Sequence, residues 1–188
     1  MQNDEYYDID EILAEHVRIP VLFLQDIEGS VNLTGDGTEI SKHSRVELPF
    51  WMAKPLAQFS LPGTNDQLVE LEIPRTYGNR VRNSLDASPT AVDFRILCPY
   101  FYHFGMKLLS LVLDDQLPAI MEKAFKERLK ALMNFSQTGS SSGQDFLQKL
   151  DETERELLKA GQDSTAQLRQ WRDKGLRQLK SVDINARN

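Results

Sequence analysis

Hydrophobic and polar residues follow two different periods along this chain, and the period changes at Pro49. Ahead of it, Tyr6 to His16 carries Asp8, Asp10 and Glu11 before Ile12 and Leu13. Carboxylates in a first turn suit the helix dipole, so a short helix is predicted. Ile19 to Ile27 is apolar and partly β-branched, opened by Pro20 and closed by Asp26, and reads as a strand. Val31 and Leu33 alternate before Gly35-Asp36-Gly37, and Thr38 and Ile40 alternate after it, which predicts a hairpin. Arg45 to Leu48 adds a further strand, stopped by Pro49. A unit of residues 1–48 is too small for a comfortable core of its own and must lean on the remainder of the chain.

After Pro49 the spacing is mostly helical. Phe50, Trp51, Met52, Leu56 and Phe59 predict an amphipathic helix over 50–59. Residues 61–67 are a loop by composition, Val69, Leu71 and Ile73 alternate as a brief strand, and Arg75 to Leu85 reads as a polar helix. Ala91 to Leu113 is apolar or aromatic on almost every face, and between Ile96 and Leu113 its one formal charge is Lys107. Pro99, His103, Gly105 and Lys107 argue against a membrane span, so a central buried helix is expected. Asp114 with Pro118 opens another helix whose stripe is Leu117, Ile120, Met121, Ala124, Phe125, Leu129, Leu132 and Met133. Lys123, Lys126, Arg128 and Lys130 are expected mostly on its other side. A Ser/Gly-rich loop at Thr138 to Gly143 leads to a last charged helix, Gln144 to about Val182, with a narrow seam that includes Leu147, Leu150, Leu157, Leu158, Leu168, Trp171 and Leu179, interrupted at Gly161. The fold class is therefore mainly α with a small N-terminal β-rich domain (α+β), divided into 1–48 and a helical-bundle domain of 49–188.

Composition narrows the function. A hydrophobic share of 40% against 27% charge marks a folding chain rather than a disordered one. A net charge of −6 argues against affinity built on neutralising phosphates, while leaving room for a local basic patch. The single Cys98 leaves no internal disulfide and fits a reducing compartment. Met1 to Asp10 has no basic start and no apolar core, so no secretory signal is expected.

Catalytic chemistry finds little footing. Cys98 and His103 are five apart, about 140° around one helix, and point away from each other. His16, His43 and His103 lack metal-ligand spacing, Gly35 and Gly37 do not open a helix after a strand, and Asp114-Asp115 suits a cap better than an acid/base pair. Tyr100, Phe101, Tyr102 and Phe104 could stack bases, yet only Lys107 and Arg95 lie near, so packing or a protein interface is favoured. In the last helix, early Asp151, Glu152, Glu154 and Glu156 and late Arg169, Arg172, Lys174, Arg177 and Lys180 read as a solvated, dipole-matched face, with a basic surface for an acidic partner as the alternative.

Val46-Glu47-Leu48-Pro49-Phe50-Trp51-Met52-Ala53-Lys54 resembles a family: subunit three of the eukaryotic GINS replication complex, the third partner of Sld-five. Tyr6 to Leu13, Leu71-Glu72-Ile73-Pro74-Arg75, Pro99 to Gly105 and Leu150 to Arg155 are similar to the family in the same order, so the likeness runs from about Tyr6 to about Trp171. Departures lie at Ser30 to Ser44, Thr138 to Gly143 and after Leu179. The resemblance implies a small β-rich domain ahead of a helical one, and a nuclear heterotetramer with three other GINS subunits. It further implies that the tetramer joins the MCM ring and a RecJ-like partner as the replicative helicase, with ATP hydrolysis in the ring, no cofactor in this subunit and DNA contacted only indirectly. The alternatives are a stand-alone enzyme around Cys98 and His103 or a direct DNA-binding module. Candidate residues for a partner interface or inter-domain packing are Phe50, Trp51, Tyr100, Phe101, Tyr102, Phe104 and Trp171. Trp51 is expected buried at the junction, where truncation to alanine would cost about 3 to 5 kcal/mol. Uncovered apolar area on the central helix is expected to make the chain an obligate assembly member.

Overall fold

The computed structural model describes residues 7–31, 33, 35, 37–60, 67–138 and 144–177. Helix α1 (Ile9–Glu15) is capped by Asp8, whose carboxylate accepts from the Asp10 N–H at 3.0 Å. Strand β1 (Arg18–Phe23) follows, then β2 (Arg45–Pro49), α2 (Phe50–Gln58) and β3 (Val69–Leu71). The sheet has the order β2-β1-β3 and is antiparallel throughout. Ile19, Val21 and Phe23 alternate inward along β1 and carry one buried face. Pro20 is tolerated in this central strand because its backbone faces β3, where ladder pairing begins only at Val21 and the Pro20 carbonyl takes the Glu72 N–H at 3.0 Å. Strand β3 lies beyond residue 49 in the chain and completes the sheet begun before it.

Among the described residues of the predicted hairpin no pair of strands forms. Gly29–Val31 is a 3₁₀ turn, and the return is held by the bridge Ile27–Ile40, with N–H···O distances of 2.8 and 3.0 Å. A Cβ on Gly29 would sit 2.4 Å from the Gly37 carbonyl oxygen, so glycine at 29 is what lets this turn fold down on Gly37. The expected loop at 61–67 lies, except for Gln67, outside the described residues, as does the loop at 139–143.

Helix α2 leaves β2 without a linker, and its inward face is Phe50 and Ala53. Consecutive helical residues point about 100° apart, so burying Phe50 turns its neighbour outward. Trp51 is accordingly 47% exposed, which overturns the expectation that it is buried at the junction.

Ala91 to Leu113 is also not one helix. Pro89–Ala91 is a 3₁₀ turn, α4 (Phe94–Leu97) is capped by Asp93, and Cys98 is extended ahead of Pro99. Residues before proline are pushed out of the helical region, and α5 (Phe101–Leu109) starts anew. Its buried line is Phe101, Phe104, Gly105 and Leu108, while Met106 is 67% exposed; the segment is amphipathic, not buried all round. Between β3 and α4, α3 (Asn79–Ala87) buries Arg82 and Leu85.

Helix α6 (Gln116–Thr138) starts where Asp114 accepts from the N–H groups of Gln116 and Leu117, both at 3.0 Å, as the capping reading requires. A short α7 (Gln144–Leu147) and a turn separate it from α8 (Glu152–Arg177). The last segment is therefore two helices, and Gly161 does not interrupt the second. A Cβ there would lie 2.9 Å from that of Ser136, so Gly161 marks where α8 packs closest on α6. No helix among the described residues is long and apolar enough to cross a membrane.

Neighbours in sequence thus face opposite environments, which gives a direct test. Phe50→Ala should cost about 3 to 5 kcal/mol in urea unfolding of the dilute chain, and Trp51→Ala below about 0.5 kcal/mol. A comparable loss at both positions would contradict the placement of α2.

Candidate functional site

The centre of the helical region is polar. Arg128 is fully buried on α6, on the line of Leu117, Met121, Ala124 and Leu132, and not on the solvent side with the lysines. Its Nε and Nη2 donate to Glu154 Oε1 and Oε2, both at 2.7 Å. Nη1 donates to the carbonyls of Pro89 at 2.7 Å and Val92 at 3.0 Å, and Nη2 to that of Lys149 at 3.1 Å. A guanidinium has five N–H donors, and these five bonds use them all. One side chain thereby fastens α6 to α8, to the turn ahead of α4 and to the turn behind α7.

Glu154 also accepts from the Tyr102 hydroxyl at 3.2 Å and from the Asp151 N–H at 3.3 Å. Asp151 answers by accepting from the Glu154 N–H at 2.8 Å, a capping box at the start of α8. The Asp151 carboxylate takes the Tyr102 N–H as well, at 3.3 Å. The early acids of α8 were expected on a solvated face; Asp151 and Glu154 are instead fully buried. Burial, with Glu154 beside it, pushes the Asp151 carboxyl up to about 6, against the hydrogen bonds it accepts and the charge of Arg128. Burial first, then Glu154, drives the Tyr102 hydroxyl far above its ordinary value, so it stays a donor.

Aromatic rings extend this cluster toward the sheet. The Arg128 guanidinium lies 4.2 Å over Phe94 and 5.0 Å from Phe146. Phe94 stacks on Phe101 at 4.3 Å, and Phe101 on Tyr77 at 4.7 Å. Phe104 then meets Phe50 edge-on at 5.5 Å, and Tyr102 meets Phe125 edge-on at 5.1 Å. Of the seven candidate residues, Phe50, Phe101, Tyr102 and Phe104 are thus in one packed system. Tyr100 is half-buried at its rim, and Trp51 and Trp171 are outside it.

A second clasp holds α1. His103 Nδ1 is 3.0 Å from Glu11 Oε1, and Lys107 Nζ is 2.5 Å from Glu11 Oε2 and 2.8 Å from Glu15. Burial works to raise Glu11, but the bonds from Lys107 and His103 outweigh it and hold the carboxyl below its usual range. Beside it lies a cleft of about 500 Å³ that includes His103, Lys54 and Lys107. Cys98 does not line that cleft, is buried, and has its thiol pushed up chiefly by burial. The thiol and imidazole of the enzymatic alternative are therefore not brought to one site. Among the described residues no cluster of three or more His, Cys, Asp or Glu could hold a metal.

Sequence reasoning missed the Arg128 cluster, although two signals were present. Arg128 falls seven residues after Met121, hence on the same face of α6. Asp151-Glu152-Thr153-Glu154 is a capping-box spacing. Two consequences are testable. Arg128→Met should cost about 3 to 5 kcal/mol because Glu154 stays buried without its partner, and Arg128→Met/Glu154→Leu should cost well below the sum of the single losses. Additive losses in urea unfolding would mean the pair is not coupled. For Asp151, the native pKa near 6 exceeds the unfolded 3.8. Native protein then binds more protons between those values, so this group's contribution to stability falls as pH rises from about 4 to 6. Asp151→Ser keeps a capping oxygen but cannot titrate, so its melting temperature relative to wild type should rise over that window; a pH-independent difference would refute the assignment.

Comparison with known proteins places this arrangement. Residues 7–58 match the PSF3 N-terminal domain, and residues 76–173 match the GINS complex protein helical bundle domain of the Sld5 family. The chain is 34% identical over 170 residues to the DNA replication complex GINS protein psf3 of Aspergillus fumigatus, covering 88% of this chain and 95% of that protein. It is 31% identical over 172 residues to the psf3 protein of Schizosaccharomyces pombe, with 90% and 98% covered, and 28% identical over 191 residues to the PSF3 protein of Saccharomyces cerevisiae, with 88% and 97% covered. The first match contains α1, β1, β2 and α2, and the second runs from Thr76 through the Arg128 cluster to Asp173 on α8. The chain belongs to the Psf3 family, the third subunit of the GINS DNA replication complex.

Proposed function

We propose that this chain is a non-catalytic structural subunit of a nuclear heterotetramer, built with three other GINS subunits, which joins the MCM ring and a RecJ-like partner as the replicative DNA helicase. In this role it hydrolyses no ATP, takes no cofactor and meets DNA only through its partners. The observation that carries the reading is likeness over nearly the whole chain to proteins named as DNA replication complex GINS subunits. A role in DNA replication supports the nuclear placement. The distribution of side chains supports the reading: the buried ionisable groups Arg128, Glu154 and Asp151 are engaged with one another, whereas Trp51, Met106, Leu113 and Trp171 face outward. Trp51, Tyr100 and Trp171 are assigned to partner contact, and Phe50, Phe101, Tyr102 and Phe104 to the packing inside the chain that reaches the sheet through α2. The division into 1–48 and 49–188 is proposed as one of chain order rather than of independent folding, because β3 belongs to the sheet.

Co-expression tests this. Alone at micromolar concentration the chain should self-associate or aggregate; with its three relatives it should elute as one four-chain species. A clean monomer, unchanged on adding the relatives, would leave the reading without support. Cys98→Ala should assemble and support replication normally, whereas a loss of function with intact assembly would favour an enzyme. Salt-sensitive micromolar binding of DNA by the single chain would favour a direct DNA-binding module.

A further inference from the structure

The far end of α8 carries an apolar seam that no described part of the chain covers. Helix α8 is fastened along α6 by Glu154 on Arg128, by Gly161 against Ser136 and by Arg169 on the Gln137 carbonyl. Helix α6 ends one residue later, at Thr138, and every residue from Ala166 to Lys174 is exposed. Leu157, Leu168 and Trp171 are 40%, 63% and 71% exposed. At about 100° per residue they fall within roughly 60° of one another, beside the line that packs on α6 rather than on it. Ala160 and Ser164 complete that line in steps of three and four residues, the spacing that receives a second helix. Arg172 and Lys174 bracket Trp171, and no ion pair among the described residues engages either.

We infer that this seam seats an amphipathic helix of another polypeptide, one that carries Asp or Glu side chains at the end of its apolar stripe that meets Arg172 and Lys174 and none beside Glu156 and Asp163. The inference rests on the assembly reading above and adds to it the place and chemistry of one contact. Exposed Leu and Trp at helical steps gain by desolvation against an apolar face, and tryptophan is the residue type that most often dominates such contacts. Arg172 and Lys174 select acidic side chains at that end of the seam. Nucleic acid fits less well, since Glu156 and Asp163 on the same helix would repel a phosphate backbone running along it.

Wild type, Leu168→Ala/Trp171→Ala and Arg172→Glu/Lys174→Glu are each co-expressed as full chains with the three relatives, and complex affinity is measured at low and moderate salt. All four side chains are exposed, so the circular dichroism and urea midpoint of the chain should not change. The apolar pair should lose about tenfold or more in affinity. Charge reversal should weaken the complex most at low salt. Wild-type affinity in both variants would overturn the inference and leave the assembly reading intact. Effects confined to DNA binding, or to self-association of this chain, would overturn it too. A wild-type chain that joins no complex would sink both.

Discussion

Everything in the helical region is arranged around a charge that cannot reach water. Transferring a guanidinium and a carboxylate out of water costs several kcal/mol each, and mutual attraction offsets this only when every remaining donor and acceptor is engaged. Arg128 meets that condition with its two bonds to Glu154 and three to backbone carbonyls. Those carbonyls come from two segments far apart in sequence, so the chain must bring the turn ahead of α4 and the turn after α7 to one point on α6. A hydrophobic core of the same volume would accept several helix registers. Five directed bonds favour one, and the buried ion pair is by itself no evidence of extra stability.

The aromatic column carries this fixed point outward. Arg128 lies on Phe94, Phe94 on Phe101, Phe101 on Tyr77, and the Tyr77 hydroxyl donates to the Phe101 carbonyl at 2.6 Å. Nearby, Arg82 donates to the Tyr77 carbonyl at 2.7 Å and to Asp114 at 2.5 Å, and Asp114 caps α6. The bond from Arg82 is the main reason the Asp114 carboxyl titrates below its usual range. A second buried arginine thus sets the start of the helix whose middle the first one holds. Phe104 against Phe50 then joins the bundle to the sheet through α2. Phe50 stands directly after Pro49, where the hydrophobic period changes.

That change was legible because period 2 and period 3.6 need no tertiary knowledge, and the sheet strands β1 and β2 follow from it. The break at Pro99 was equally visible in principle, but the density of aromatics between Ile96 and Leu113 outweighed it. Equating apolar content with burial on all sides is the error here, since Ile96 and Met106 face outward. Trp51 shows the same error at the scale of one residue: hydrophobicity alone cannot say which of two adjacent rings is inside. The hairpin failed for another reason, since Gly29 and Gly37 meet through their backbones, and residue types carry no record of such an approach. The Arg128 cluster was hidden by treating charge as a marker of solvent. A cation in phase with an apolar stripe, and an Asp spaced three before a Glu, are better read as halves of a buried pair.

Register has a further consequence for recognition. A helix that slides or tilts would present Leu168 and Trp171 at varying positions, and a partner would bear the entropy of fixing them. Here Glu154 at the start of α8 and Gly161 two turns on set its rotation and height, so the exposed end is held by the buried one. In the proposed four-chain assembly the task is to choose the right neighbour among several surfaces. Apolar area alone discriminates poorly between such surfaces. A preorganised helix end with paired cations rejects a basic or misaligned partner by leaving charges desolvated and unmatched. The buried arginine and the exposed seam are in this sense one device, since the first fixes the geometry in which the second can be selective.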